Sequence, residues 1–72
     1  MQPYANLSGE SPILNVELRP DAVVVEFRDK PPYVYSHASA GALHIERMKL
    51  LALAGRGLST YISQHVHSLY EH

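Results

Sequence analysis

The chain has 72 residues, six basic and seven acidic side chains, a formal net charge of −1 and no cysteine. That length holds one domain, and one whose folding buries only about 60% of the surface its unfolded chain exposes. Disulfides and thiolate metal sites are excluded, as is the bulk electrostatic attraction by which strongly basic proteins hold nucleic acid or anionic membranes.

Met1 to Pro12 is rich in turn formers and has no apolar period, so residues 1–12 read as a flexible N-terminal arm from which Tyr4 or Leu7 can dock on the body. The arm has neither the positive charge nor the apolar run of a secretory signal. The longest weakly polar stretch, Leu50 to Ala54, is far too short to cross a bilayer. The expectation is a soluble cytoplasmic protein.

Ile13 to Arg19 alternates, with Leu14, Val16 and Leu18 on one side and Asn15, Glu17 and Arg19 on the other, which is the pattern of a half-buried strand. Pro20-Asp21 supplies a tight turn. Ala22 to Arg28 is a second strand, with Val23, Val25 and Phe27 on one face and Val24 interrupting the polar face. Asp29-Lys30-Pro31-Pro32 breaks the ladder, because proline has no amide hydrogen to donate. Tyr33-Val34-Tyr35 forms a short third strand with both tyrosines on one side. Short connections make this a three-stranded antiparallel meander.

Ser36 or Ser39 caps the helix that follows. From about Ala40 to Ala54 every residue except Gly41 is a tolerable or good helix former. Ile45, Met48 and Ala52 line one side of this helix, and Leu43, Leu50 and Leu53 spread toward another. A helix with two apolar sides touches the sheet and something else, either the next helix or another subunit. Gly55-Arg56-Gly57 ends it, since glycine adopts the left-handed conformation past a helix end without steric cost. Leu58, Tyr61, Ile62, His65, Val66 and Leu69 then recur at the spacing of one face of a second amphipathic helix. The expected fold is α+β, a three-stranded antiparallel meander followed by two helices packed on one face, in a single domain over residues 13–72. The expected core is Leu14, Val16, Leu18, Val23, Val25, Phe27, Ile45, Met48, Leu51, Leu58, Tyr61, Ile62, Val66 and Leu69.

The strand Val25-Glu26-Phe27, the Tyr33-Val34-Tyr35 triplet and the Ala-Gly-Arg-Gly-Leu-Ser-Thr-Tyr-Ile block from Ala54 to Ile62 together resemble the KTSC family. Its members are short domains that occur alone in bacteria and phages, and also at the C-terminus of some lysyl-tRNA synthetases. The family's signature is tyrosine, any residue, tyrosine, after a strand of apolar, polar and aromatic residues. A helix, a glycine-bearing segment of small residues and an aromatic or aliphatic pair follow, the pair here being Tyr61-Ile62. The resemblance spans roughly Ile13 to Tyr70. The family often carries Ser-x-Gly and an asparagine after the pair, where this chain has Gly55-Arg56-Gly57 and Ser63. The resemblance implies RNA binding, by association with a tRNA synthetase, and brings no catalytic residues.

The residues themselves offer two kinds of binding surface. Tyr33 and Tyr35, with Arg28 and Lys30 near them in sequence, suit a stacking platform for bases if the rings are exposed; if they are buried, they fill space between a small sheet and its helices. Arg47, Lys49 and Arg56 extend the set of cations, although Arg47 and Lys49 point about 200° apart on a helix. The Gly55/Gly57 pair has no Walker ending and serves as a cap. Among the five histidines, His65 and His67 are two apart, no His-x-x-x-His pair exists, and His65 sits at the edge of the apolar stripe. His37 and His72 are peripheral. No metal site, cofactor, catalytic residue or small-molecule substrate is expected, and a domain this small has little room for an enclosed cleft. Function reads as non-enzymatic binding in one of two forms. One is a protein-interaction module, such as a phage-encoded regulator or inhibitor of a host complex, which uses the second apolar side of the first helix. The other is an RNA-binding module that uses Tyr33, Tyr35 and the nearby cations. The near-zero net charge favours the first.

Overall fold

The alternating runs form the sheet that their period requires. A computed structural model describes residues 1–71; His72 lies outside the described residues. Four antiparallel strands lie in sequence order: β1 (Gln2–Pro3), β2 (Ile13–Arg19), β3 (Ala22–Phe27) and β4 (Tyr33–Ser36). Helices α1 (His37–Ala40), α2 (Ala42–Ala54) and α3 (Leu58–Tyr61) follow, and α3 runs on as a π-helical turn over Ile62–Val66. The fold is therefore α+β, with one strand more than the meander read from the sequence.

The extra strand comes from the N-terminal arm. Gln2 and Pro3 pair with Val16 and Asn15. Tyr4 is 6% exposed, and its hydroxyl accepts the Leu58 backbone N–H at 3.4 Å. Asn6 closes the loop behind it by exchanging two hydrogen bonds of 3.1 Å with the backbone of Ser11. Residues 1–12 are thus laid against the body. Of the two side chains expected to dock, Tyr4 does so and Leu7 stays exposed.

Strand β2 departs from strict alternation. Ile13 pairs with Phe27 and Asn15 with Glu26, so Leu14 is the extra residue of a β-bulge. A bulge places two residues against one and turns the extra side chain off its face. Ile13 and Val16 both point into the core, while Leu14, expected there, is 44% exposed. Ile13→Ala is expected to cost about 2–5 kcal/mol and Leu14→Ala under about 1 kcal/mol, as measured by urea denaturation. Equal costs at the two positions contradict the register.

Val16, Val23, Val25 and Tyr35 form the covered face of the sheet and meet Ile45, Met48 and Ala52 of α2, with Leu58, Ile62 and Val66 beyond. Val24, on the other face, is also buried, flanked by Glu17 and Val34 on the neighbouring strands. Ser36 caps α1 in a reciprocal box with Ser39. Gly41 then takes φ +91°, which ends α1 and delays α2 to Ala42. Gly55, at φ +77°, caps α2 as its position implies. The last helix stops at Val66, so Leu69, expected in its apolar stripe, lies in the tail and is 36% exposed. Leu18, Phe27, Leu51 and Tyr61 pack at the edge of the core and are only partly buried.

Candidate functional site

Two features of the surface are candidates, and they are built from different elements. The first is an aromatic cavity at the end of the sheet where β3 turns into β4. Every second residue of a strand shares a face, so Tyr33 and Tyr35 both face inward from β4, and Phe27 joins them from the end of β3. The chain beyond the π-helical turn comes back along β4, where the Glu71 N–H donates to the Val34 carbonyl at 2.7 Å. This brings Tyr70 against the tyrosine pair. Its ring centroid lies 4.7 Å from that of Tyr33 and 6.2 Å from that of Tyr35. Tyr33 also meets Phe27 edge-on at 5.7 Å. Between these rings and the last helix is a cavity of about 290 Å³, lined by the four aromatic residues with Lys30, Ser59, Ile62, Ser63, His67 and Ser68. That volume is at the lower limit of ligand pockets, and the space is open on one side, so it is a shallow cleft rather than an enclosed one.

The sequence-derived binding residues divide between this cavity and other places. Tyr33, Tyr35 and Lys30 line it. Tyr35 is 2% exposed and Tyr33 half-buried, so the two rings form walls rather than an exposed platform. Burial first, then the neighbouring Tyr33 and Tyr70 phenols, push the Tyr35 hydroxyl pKa up to about 12. Arg28 is exposed beside the cavity but does not line it. Lys49 donates to the Pro20 carbonyl at 2.9 Å and pairs with Glu46 at 3.1 Å, holding α2 to the β2–β3 turn. That turn is at the opposite end of the sheet from Lys30. Lys49 first, and then His37, hold the Glu46 carboxyl below its usual range. Arg47 and Arg56 are exposed on α2 and in the α2–α3 turn respectively. These five cations therefore do not make one basic face.

The second candidate is the outer side of α2. Leu43, Leu50 and Leu53 are 63%, 68% and 68% exposed. Positions seven and three apart fall close together on a helix, so the three leucines form one ridge, interrupted by Glu46 and Arg47.

A third cluster escaped the sequence reading. His44 of α2 and Tyr61 of α3 are hydrogen-bonded, Nδ1 to hydroxyl, at 2.6 Å. The His65 ring lies 4.6 Å from Tyr61 and 6.1 Å from His44. His65 is exposed here rather than at the edge of the core. Its four-residue spacing from Tyr61 was a legible signal; the contribution of His44 depends on how α2 and α3 are placed. Among the described residues no group of three or more His, Cys, Asp or Glu is placed to hold a metal ion. Likewise, no helix among them is long and apolar enough to cross a membrane.

The fold and these surfaces define a small α+β domain with a bare leucine ridge and an aromatic cavity. No protein-family model, curated protein or solved structure matches the chain.

Proposed function

We propose that this chain is a non-enzymatic protein-interaction module whose working surface is the outer side of α2. The observation that carries this reading is the exposure of Leu43, Leu50 and Leu53 on one helical ridge. An apolar patch of about 300–600 Å² is as large as a typical monomer leaves bare, and such patches are often functional. Packing within the chain does not use the ridge, because α2 already buries Ile45, Met48 and Ala52 against the sheet.

The occupant that fits the ridge is a second copy of the chain, with its α2 laid antiparallel. Leu43 then meets the Leu53 end of the partner's helix, and the central Glu46 and Arg47 of each copy come within reach of their opposites. A ridge with one anion and one cation between leucines complements itself in this way and offers nothing to a polyanion. Self-association also suits a 72-residue chain without disulfides, since domains of this size commonly gain stability from a partner subunit. In cells, the same ridge would let the chain regulate or inhibit a larger complex by occupying that complex's helix-binding surface. The KTSC resemblance, which carries no catalytic residues, agrees with a binding role. The RNA reading has less support, since Tyr35 presents no open face and the cations are scattered.

Sedimentation from micromolar to millimolar concentration tests the proposal. The natural chain is expected to pass from monomer to dimer, and Leu50→Lys with Leu53→Lys to remain monomeric, with a melting temperature that matches the natural chain only at low concentration and does not rise with concentration. A natural chain that stays monomeric throughout contradicts the proposal.

A further inference from the structure

We propose that the aromatic cavity between β4 and the last helix binds a small planar anion, an aromatic ring bearing a phosphate or carboxylate group. This site is independent of the α2 ridge. Its walls supply two kinds of contact. Phe27, Tyr33 and Tyr70 present ring faces and edges around about 290 Å³. Aromatic groups pack against each other edge-on or offset at centroid distances of 4.5–7 Å, and a planar guest laid against this cluster from the cavity side meets the same geometry.

The remaining walls, Ile62 apart, carry polar groups, although the Ser63 hydroxyl also reaches the Thr60 carbonyl at 3.4 Å. Lys30 supplies an ammonium group, Ser63 and two further serines supply hydroxyls, and His67 supplies an imidazole. Among the described residues no acidic side chain lines the cavity, although the chain has seven of them. Glu26, Asp29 and Glu71, the acids next in sequence to its walls, all lie outside it. A lining with several polar groups, one cation and no acidic side chain among the described residues selects against cationic guests and favours anionic ones. The Tyr35 hydroxyl, with its pKa raised to about 12, remains a donor at neutral pH. Single rings fit a volume this small and polymers do not, so the ligand is a small molecule or one terminal group of a larger one.

The test is a set of ¹H–¹⁵N titrations of the full chain with phenyl phosphate, phenol, inorganic phosphate and uridine 5′-monophosphate. Phenyl phosphate is expected to shift Lys30, Ser63 and His67 together along one saturating curve. It should bind about tenfold or more tightly than phenol or phosphate alone, because its two contacts are made by one molecule. Uridine monophosphate binding more tightly than phenyl phosphate assigns the site to nucleotides; binding more weakly assigns it to simple aryl anions. Lys30→Ala lies in an exposed turn and should not disturb folding. It is expected to weaken phenyl phosphate about two- to fivefold and leave phenol unchanged. Ser63→Leu fills the cavity from an exposed helix position and is expected to abolish both. Phenyl phosphate binding no better than phenol, shifts that do not saturate, or a Lys30→Ala variant with unchanged affinity overturns the proposal.

Discussion

Tyr35→Ala is expected to destabilise the domain by about 3–5 kcal/mol, the cost of removing a buried aromatic side chain from a packed core. A chain this small has a total stability near the low end of about 5–15 kcal/mol, so the variant is expected to be largely unfolded at room temperature. Tyr35 is 2% exposed, sits opposite Val23 in the sheet and contacts Tyr70. Tyr35→Phe keeps the ring and separates packing from the hydroxyl. The hydroxyl carries the pH dependence. Its pKa is raised from 10.0 to about 12 in the folded chain, so the folded state favours the neutral form. That contribution is fully present below pH 10 and is lost as the pH rises from about 10 to about 12. Urea midpoints measured across this range should fall for the natural chain and fall less for Tyr35→Phe. A Tyr35→Ala variant with a near-natural midpoint contradicts the placement of the ring.

Gly55→Ala is the second large effect. Gly55 has φ +77°, a conformation that costs other residues about 1–2 kcal/mol. A Cβ there also meets the Ala5 Cβ at 2.7 Å. The Ala5 segment has little freedom to withdraw, because Tyr4 donates to the Leu14 carbonyl at 3.0 Å and Leu7 to the Gly55 carbonyl at 2.7 Å. Strain and contact together are expected to cost about 2–4 kcal/mol in urea denaturation. Ala5→Gly removes the contact, and in that background the cost of Gly55→Ala should fall to the strain alone. Gly57→Ala is the control, since Gly57 shares the left-handed conformation at φ +81° and its added Cβ meets only Leu51 Cδ2, at an ordinary 3.6 Å. If Gly55→Ala costs no more than Gly57→Ala, or if Ala5→Gly restores nothing, the arm is not seated against the α2–α3 turn.

Much of this architecture follows from local rules. Alternation placed β2, β3 and β4, and the Gly55 cap ended α2. The inner side of α2 was read correctly because Ile45, Met48 and Ala52 follow the helical period. Its second apolar side, Leu43, Leu50 and Leu53, was equally legible, and the structure leaves it bare. The features that escaped depend on tertiary placement. The bulge at Leu14 shifts the alternation by one residue, and nothing in Ile13-Leu14-Asn15 marks where the extra residue falls. Tyr4 is buried in the core, where its hydroxyl accepts the amide of Leu58, a partner 54 positions away. Gly41 was allowed inside a helix, where glycine costs only about 1 kcal/mol, yet it takes a positive φ and splits the segment in two. Tyr33 and Tyr35 were rightly placed on one side of a strand, but their exposure depends on Tyr70, which local periodicity did not tie to β4. The cavity was missed for the same reason, since a return of the tail along the sheet edge leaves no periodic signal.

The most direct test of the protein-interaction reading is an isotope-filtered NOE experiment on a concentrated mixture of ¹³C-labelled and unlabelled chain, which records only contacts between copies. Cross-peaks between the Leu43 methyls of one copy and the Leu53 and Ala54 methyls of the other, with Leu50 at the centre, are the predicted result. A spectrum without inter-copy peaks, or with peaks confined to another face of the domain, contradicts the account.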